Sequence, residues 1–409
     1  MKTIDQLTNL GNKKILVRVD FNVPLKGKEI RDDNRIVSAL PTVKKLLSEG
    51  AAVILMSHLG KIKWGKVDDA EIQAEKEKNN MEYIYPRLKE LLKGYNVYFV
   101  NATHGDELKD AIAKLKGKEV LLVQNTRYEK GESKNDPELS KEWASYVDGF
   151  VMDAFGSAHR AHASTYGVPE ILKKEGKPVA LGYLMEKEVK NLGACVKGDK
   201  HPYIAILGGF KVSDKIKVID SLLTKCDKIL IGGAMAFTFY AALGLKIGHS
   251  PCEEEQLEYA KKCYASGKIV LPLDCVAADN MEEPKDIKVF EMDISDKENS
   301  GIPAEFGGYD IGPKSIELFS EEIAKAKLIF WNGPMGVFEK KEFAKGTIEV
   351  CKAISENENA FSVIGGGDSA AAAKEFGYAS KFSHVSTGGG ASLEMIENNG
   401  HLPGIDVIG

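Results

Sequence analysis

Two kinds of residue gather where the apolar runs of this 409-residue chain end. In the first half the runs stop at groups that carry charge or hydrogen bonds. Asp20-Phe21-Asn22 follow KILVRV, Ser57-His58-Leu59-Gly60 follow AAVILM, Gln124-Asn125-Thr126-Arg127 follow EVLLV, and His159-Arg160-Ala161-His162 lie just beyond GFVMDA. Arg18 and Arg35 add two more cations. Guanidinium groups grip phosphate and carboxylate through paired, charge-assisted hydrogen bonds, so this set suits a small polyanion. In the second half the runs stop at glycine: Gly208-Gly209, Gly232-Gly233, Trp331-Asn332-Gly333-Pro334, Gly365-Gly366-Gly367-Asp368-Ser369 and Ser386-Thr387-Gly388-Gly389-Gly390. Glycine lets backbone N–H groups approach a ligand closely, and a helix starting behind such a loop turns its positive end toward it. That is chemistry for phosphates and nucleotides.

Each signal alone has a plainer reading. A single Gly-Gly is a turn more often than a binding loop, and His58, His159 or His162 taken singly reads as a hydrogen-bonded structural histidine. Arg18 reads equally well as a structural arginine paired with an acid below the site. Asp20 and Asn22 are harder to dismiss. VRVDFNV alternates with period two, placing Arg18, Asp20 and Asn22 on one face opposite Val17, Val19, Phe21 and Val23, and polar groups spent there must bond something. AILGGFKVSDK brings Lys211 and Lys215, one helical turn apart, to face the same phosphates. It is not the phosphate loop Gly-x-x-x-x-Gly-Lys-Ser/Thr, because no Gly-Lys pair in the chain precedes Ser or Thr. Gly365 to Ala370 fits Gly-x-Gly-x-x-Ala, so an NAD-type dehydrogenase is the rival reading. Asp368 counts against it. A carboxylate in that loop would repel a pyrophosphate, whereas it suits a Mg²⁺ ligand bridged to nucleotide phosphates.

The elements that must position these groups are short β-branched runs alternating with helical patterns. The runs are KILVRV, AAVILM, NVYFV, EVLLV and GFVMDA, then YIAIL, KILIG, KIVLP, KLIFW, AFSVI and FSHVS. Strands separated by helix-length segments form parallel sheets, and in such sheets ligands bind beyond the carboxyl ends of the strands. The length exceeds one ordinary core, so two α/β halves are expected. Residues 61–82 form the most polar stretch, expected as a solvated loop or exposed helix.

Bulk properties exclude other classes. A formal net charge of -5 with 28% charged residues argues against a nucleic-acid binder held by bulk positive charge. The six cysteines show no Cys-x-x-Cys spacing, so neither zinc nor a redox pair is indicated and a reducing cytoplasm is expected. The N-terminus lacks an apolar signal core, and no run approaches a membrane span.

The segments VRVDFNVP, DNRI, SHLG, DAFGSAHRAH, ILGG-x-KVSDKI, IGG-x-MAFTF, WNGPMGVFE, GGGDS and VSTGGGASLE, in this order along almost the whole chain, resemble the phosphoglycerate kinase family. The resemblance implies a two-domain, hinge-bending glycolytic enzyme that moves a phosphoryl group between 1,3-bisphosphoglycerate and ADP, with Mg²⁺. It implies that Asp20 and Asn22 hold the hydroxyl and carboxyl region of the glycerate, bordered by Phe21, Leu59, Gly60 and Lys61. Arg35, His58, Arg127 and Arg160 would grip its phosphate and reacting carboxyl group. Lys215 and Lys211 would lie along the nucleotide phosphates, Lys211 nearest the transferred group. Glu339 would take the ribose hydroxyls and Gly308 would border the base, with Gly209, Gly233 and Asn332 beside the nucleotide. Gly366, Gly367, Asp368 and Ser369 would hold phosphates, Asp368 as the metal ligand, and Gly389 and Gly390 would open a helix facing the transferring group. Arg35, Lys211, Gly389 and Gly390 make up the expected catalytic set. A carboxylate nucleophile needs no general base, and none is evident.

The organisation expected is two Rossmann-like domains, each a parallel sheet flanked by helices and joined by a hinge helix. Residues 1–170 form the substrate domain with 394–409 packing back on it, 171–200 the connector, with a helix at 184–196, and 201–393 the nucleotide domain. A monomer without nucleic-acid or membrane partners is expected. The chain departs from the family pattern at Lys61-Ile62 (usually Arg-Pro), Met152 (commonly Asn), Ala234 (a frequent glycine), Tyr309 (usually aliphatic) and Phe210 (usually small). The last three put base selectivity at issue. A non-catalytic nucleotide-dependent regulator is the third class.

Overall fold

A computed structural model describes residues 1–409, which divide into two compact units: Met1–Lys190 with His401–Gly409, and Asn191–Gly400. The first is built on six parallel strands: β1 (Lys14–Val19), β2 (Ala52–Met56), β3 (Val97–Val100), β4 (Val120–Val123), β5 (Gly149–Asp153) and β6 (Val179–Leu181). Their order is β3-β4-β2-β1-β5-β6. Central β1 pairs with β2 and β5, Val17 lying opposite both Leu55 and Val151. Every residue of β2, β4 and β5 is buried, as expected of parallel strands covered on both faces. Helix α1 (Asn34–Ser48) buries Ile36, Ala39, Leu40, Val43, Leu46 and Leu47, the three- and four-residue spacing of one apolar face. The strand order runs outward on both sides of the β1–β5 pair, so the loops after these strands part and leave a crevice.

The second unit holds β7 (Tyr203–Leu207), β8 (Lys228–Ile231), β9 (Ile269–Val270), β10 (Asp274–Ala278), β11 (Ile287–Glu291), β12 (Gly307–Ile311), β13 (Leu328–Asn332), β14 (Phe361–Ile364) and β15 (His384–Val385). Six of them form a parallel sheet in the order β9-β8-β7-β13-β14-β15, whose switch point lies between β7 and β13. The remaining three form an antiparallel sheet, β11-β10-β12. No helix is long and apolar enough to cross a membrane.

All eleven expected strands form. Two features depart from the sequence reading. The antiparallel sheet was not foreseen, because DCVAA, IKVFE and GGYDI lack the long β-branched runs that mark central strands. The division between units also differs from the boundaries expected at 170 and 200. Val168–Lys174 is a helix and Val179–Leu181 pairs with β5 in the first sheet, so only helix α2 (Tyr183–Lys197) crosses the division, between Lys190 and Asn191. At the C-terminus the residues that join the first unit are His401–Gly409; those from 394 to 400 stay in the second. Gly404 N donates to Ala158 O at 2.8 Å, and Leu402, Ile405, Val407 and Ile408 are buried.

Candidate active site

On the first unit the expected residues converge at the ends of β1, β2 and β4. Arg35, in the first turn of α1, donates from Nη1 to Asp20 Oδ1 (3.2 Å) and to the Asn22 carbonyl (2.9 Å), with its side chain 43% exposed. Asn22 Oδ1 accepts from Gly60 N at 2.8 Å, and Phe21 N donates to Ser57 Oγ at 2.8 Å, so the loops after β1 and β2 are laced together. Phe21 and Leu59 put their side chains in the core and leave only backbone for a ligand. Leu59 N is held by Asn125 Oδ1 at 3.1 Å. Lys61 and Arg160 are exposed.

Beneath this surface lies a network the sequence did not disclose. Arg18 is fully buried; its Nε donates to Ser164 Oγ (2.8 Å), its Nη2 to His58 Nδ1 (3.0 Å) and its Nη1 to the Val19 carbonyl. Ser164 Oγ in turn donates to Glu132 at 2.6 Å, and Glu132 lies 3.5 Å from Arg127 Nη1. Arg18 is thus a buried arginine linked to the acid Glu132 through Ser164, and it also holds His58. Burial pushes the Glu132 carboxyl up, opposed chiefly by Arg18. Burial also brings Arg18 down to about 10, which leaves it charged at neutral pH. Two guanidinium groups around one carboxylate leave net positive charge. Glu132 sits in the polar run EKGESKND, and nothing in its spacing distinguishes it from a solvated acid.

The imidazoles are neutral. Desolvation first, then Arg18 and Arg127, hold His58 well below its ordinary value; desolvation and Arg127 bring His162 to about 3. Because arginine only donates, Nδ1 of His58 must accept, and so must Nδ1 of His162, 3.4 Å from Arg127 Nη1. In each ring Nε2 then carries the proton and can donate to an anion.

On the second unit, Gly209, Gly233, Gly308, Glu339 and Asp368 line a cavity of about 260 Å³ at the switch point, together with Phe210, Ala234, Phe237, Tyr240, Cys275, Tyr309, Met335 and Val337. Two buried carboxylates, Asp274 and Asp310, lie in its wall. Asp310 accepts from Gly346 N and Ile311 N, each at 2.9 Å, and burial raises its carboxyl to about 7. Beside the cavity is a polar corner. Lys215 Nζ donates to Asn332 Oδ1, Asn332 Nδ2 approaches Gly365 O at 3.4 Å, and buried Ser369 donates to Gly366 O at 2.9 Å. Burial brings Lys215 down to about 8.

Two glycines allow the close approach. A Cβ on Gly208 would lie 2.0 Å from Pro334 O, and one on Gly366, at φ +81°, would lie 2.8 Å from Gly389 N. Helices α3 (Gly367–Glu375) and α4 (Gly389–Glu397) thus begin side by side, their free N–H groups together.

The lysine pair departs from the sequence reading. Residues 213–215 form a turn, and the helix after them starts at Ile216, so Lys211 and Lys215 share no helical face. Lys211 is exposed and outside the cavity lining, while Lys215 is 9% exposed. Ser213 prefers Glu253, to which its Oγ donates at 2.5 Å, and this draws the segment into a turn. Phe210, the bulky departure from the family pattern, is 65% exposed at the cavity.

The phosphoglycerate kinase family model matches residues 4–399. The chain belongs to the phosphoglycerate kinase family. It is similar to the phosphoglycerate kinase of Fusobacterium nucleatum, 51% identical over 414 aligned positions spanning 100% of this chain and 99% of that one. The relative from Listeria innocua is likewise 51% identical, over 98% of this chain and 97% of its own. Among solved structures, phosphoglycerate kinase from Coxiella burnetii superposes with a TM-score of 0.84 at 34% identity, covering 99% of this chain and 98% of that one. The enzyme from Pyrococcus horikoshii gives 0.82 at 32%, covering 100% and 98%. The dehydrogenase alternative finds no support in any of these. Within the family frame, the residues fit a magnesium nucleotide. Asp368 offers an exposed carboxylate at the cavity, in the first turn of α3, and Mg²⁺ characteristically takes one or two carboxylates with the rest of its shell from phosphates and water.

Proposed function

We propose that the chain transfers a phosphoryl group reversibly from 1,3-bisphosphoglycerate to ADP, giving 3-phosphoglycerate and ATP in glycolysis. The observation that carries this is the division of chemistry at the two switch points: arginines and neutral imidazoles on one sheet edge, a glycine-lined cavity with two helix N-termini on the other. Arg127, His58 and Arg160 bind the phosphate of the glycerate, while Asp20 and Asn22 orient its hydroxyl and carboxyl groups. Arg35 stands free enough of Asp20 to turn to the reacting carboxyl group. Asn332 holds Lys215 toward the nucleotide phosphates, and the amides of Gly366, Gly367, Gly389 and Gly390 take the charge that spreads over the equatorial oxygens. Lys211, exposed beside the cavity, reaches the transferred group only once nucleotide is bound. Asp368 would hold Mg²⁺, which would neutralise phosphate charge.

The acceptor is the β-phosphate of ADP in this direction and the carboxylate of 3-phosphoglycerate in the reverse; both are ionised near neutral pH, so no side chain has to remove a proton. Transfer between groups held on separate units requires their approach, and α2 is the proposed hinge. Cytoplasmic residence, a monomeric state and independence from nucleic acid belong to the same proposal, supported by the acidic net charge and six free thiols. The test is a coupled assay of ATP formation from 1,3-bisphosphoglycerate and ADP. Mg²⁺-dependent turnover supports the reading, and a folded protein without turnover leaves it a nucleotide-binding regulator.

A further inference from the structure

We propose that Phe210 closes over one face of the nucleobase and that its stacking sets a large part of this chain's affinity for ADP. The inference rests on the nucleotide reading of the cavity and names a contact that reading does not require.

Phe210 is the most exposed large apolar side chain of the molecule, at 65%, and it is also part of the cavity lining. Its backbone is pinned on the N-terminal side. Gly208 N donates to Asn332 O at 2.9 Å, Gly209 O accepts from Met235 N at 3.1 Å, and Gly208 is packed against Pro334 O too tightly for a Cβ. The ring thus stands at the mouth of the cavity on a fixed stem, with Gly209 at φ +118° as the turn that sends it outward. A phenyl ring left in water forfeits the stabilisation that burial would give, unless a flat apolar partner arrives to cover it.

The rest of the lining points to the same partner. Ala234, Phe237, Tyr309 and Val337 are apolar or aromatic. The two carboxylates in the wall are already occupied: Asp274 by Ser315 N at 2.9 Å and Lys314 N at 3.0 Å, Asp310 by Gly346 N and Ile311 N. A base entering here gains through its faces more than through its edge, and base–aromatic stacking serves any purine.

Calorimetric titration tests this with two probes, MgADP and magnesium tripolyphosphate, the second having phosphates and no base. For Phe210→Ala we expect ADP affinity to fall about fivefold to thirtyfold, the lower range of what one stacked base contributes. Tripolyphosphate affinity should stay within about twofold, and Phe210→Tyr should restore ADP binding. Unchanged ADP affinity in Phe210→Ala overturns the proposal. So does an equal loss for tripolyphosphate, which would mean that the ring only shapes the loop. Wild-type protein that binds no ADP overturns both this inference and the function beneath it, whereas tight ADP binding insensitive to Phe210 overturns this inference alone.

Discussion

At the scale of single residues, the two proposed sites offer different means of binding an anion. The first keeps its cations permanently charged by using arginine, and keeps its histidines neutral as directed donors. The second uses a lysine whose charge is conditional. Because burial holds Lys215 at about 8 in the free protein, and phosphate favours its protonated form, ADP affinity is expected to be level below about pH 8. Above that it should weaken, tending to about tenfold per unit, because each bound ADP must then recruit a proton. Titration from pH 6.5 to 9.5 checks this; Lys215→Met should bind weakly and without the slope. Arg35 belongs to the opposite case. Its hydrogen bonds to Asp20 and the Asn22 carbonyl leave it part-exposed, so its charge is available chiefly when the reacting groups meet. Arg35→Ala should lower kcat by about 100-fold or more with little change in ADP affinity, and steady-state kinetics with an unchanged kcat would refute that role.

At the scale of elements, the start of α2 depends on one buried carboxylate. Asp153 Oδ1, at the end of β5, accepts from Leu184 N (3.0 Å) and Met185 N (3.3 Å), while Thr42 Oγ1 accepts from Tyr183 N at 3.0 Å. Burial raises this carboxyl to about 7 from an ordinary 3.8. The folded state therefore holds its proton more tightly than the unfolded chain. The stability this contributes is complete below about pH 3.8 and is lost as pH rises to about 7. Asp153→Asn should flatten that slope in urea unfolding curves measured from pH 4 to 8, and an undiminished slope would assign it to other groups. Asp153→Ala should cost about 0.5–2 kcal/mol as a lost helix cap.

How far the elements were legible follows from their kind. Central parallel strands such as VLLV and YIAIL announce themselves, because burial on both faces demands continuous β-branched and aliphatic runs. Val179–Leu181 is too short to do so and was absorbed into the expected connector. At the sites, residues beside strand ends and glycines were legible because backbone geometry restricts their type. Glu132 and Ser164 were not, since their work is to hold other side chains across a sequence separation of 32, and nothing local records it. Lys211 and Lys215 were misjudged for a related reason: helical spacing was read where Ser213 prefers a distant glutamate.

At the scale of the whole molecule, the chain leaves the first unit at Lys190 and returns to it at His401. Removing His401–Gly409 should destabilise the first unit by several kcal/mol, at about 1.5–3 for each fully buried aliphatic side chain among Leu402, Ile405, Val407 and Ile408. Because Gly404 backs onto Ala158, next to His159 and Arg160, the truncated protein should show a raised KM for 3-phosphoglycerate while retaining ADP affinity; equal losses on both sides would contradict this. The same return has a consequence in time. A ribosome delivers residues in order, and folding of early segments normally proceeds while later ones are still being made. Here the segment that backs the loop after β5, His401–Gly409, is made only after the whole of the second unit. The first unit is thus begun before the second and completed after it, so a nascent chain stalled within the second unit carries the proposed phosphoglycerate site without its floor.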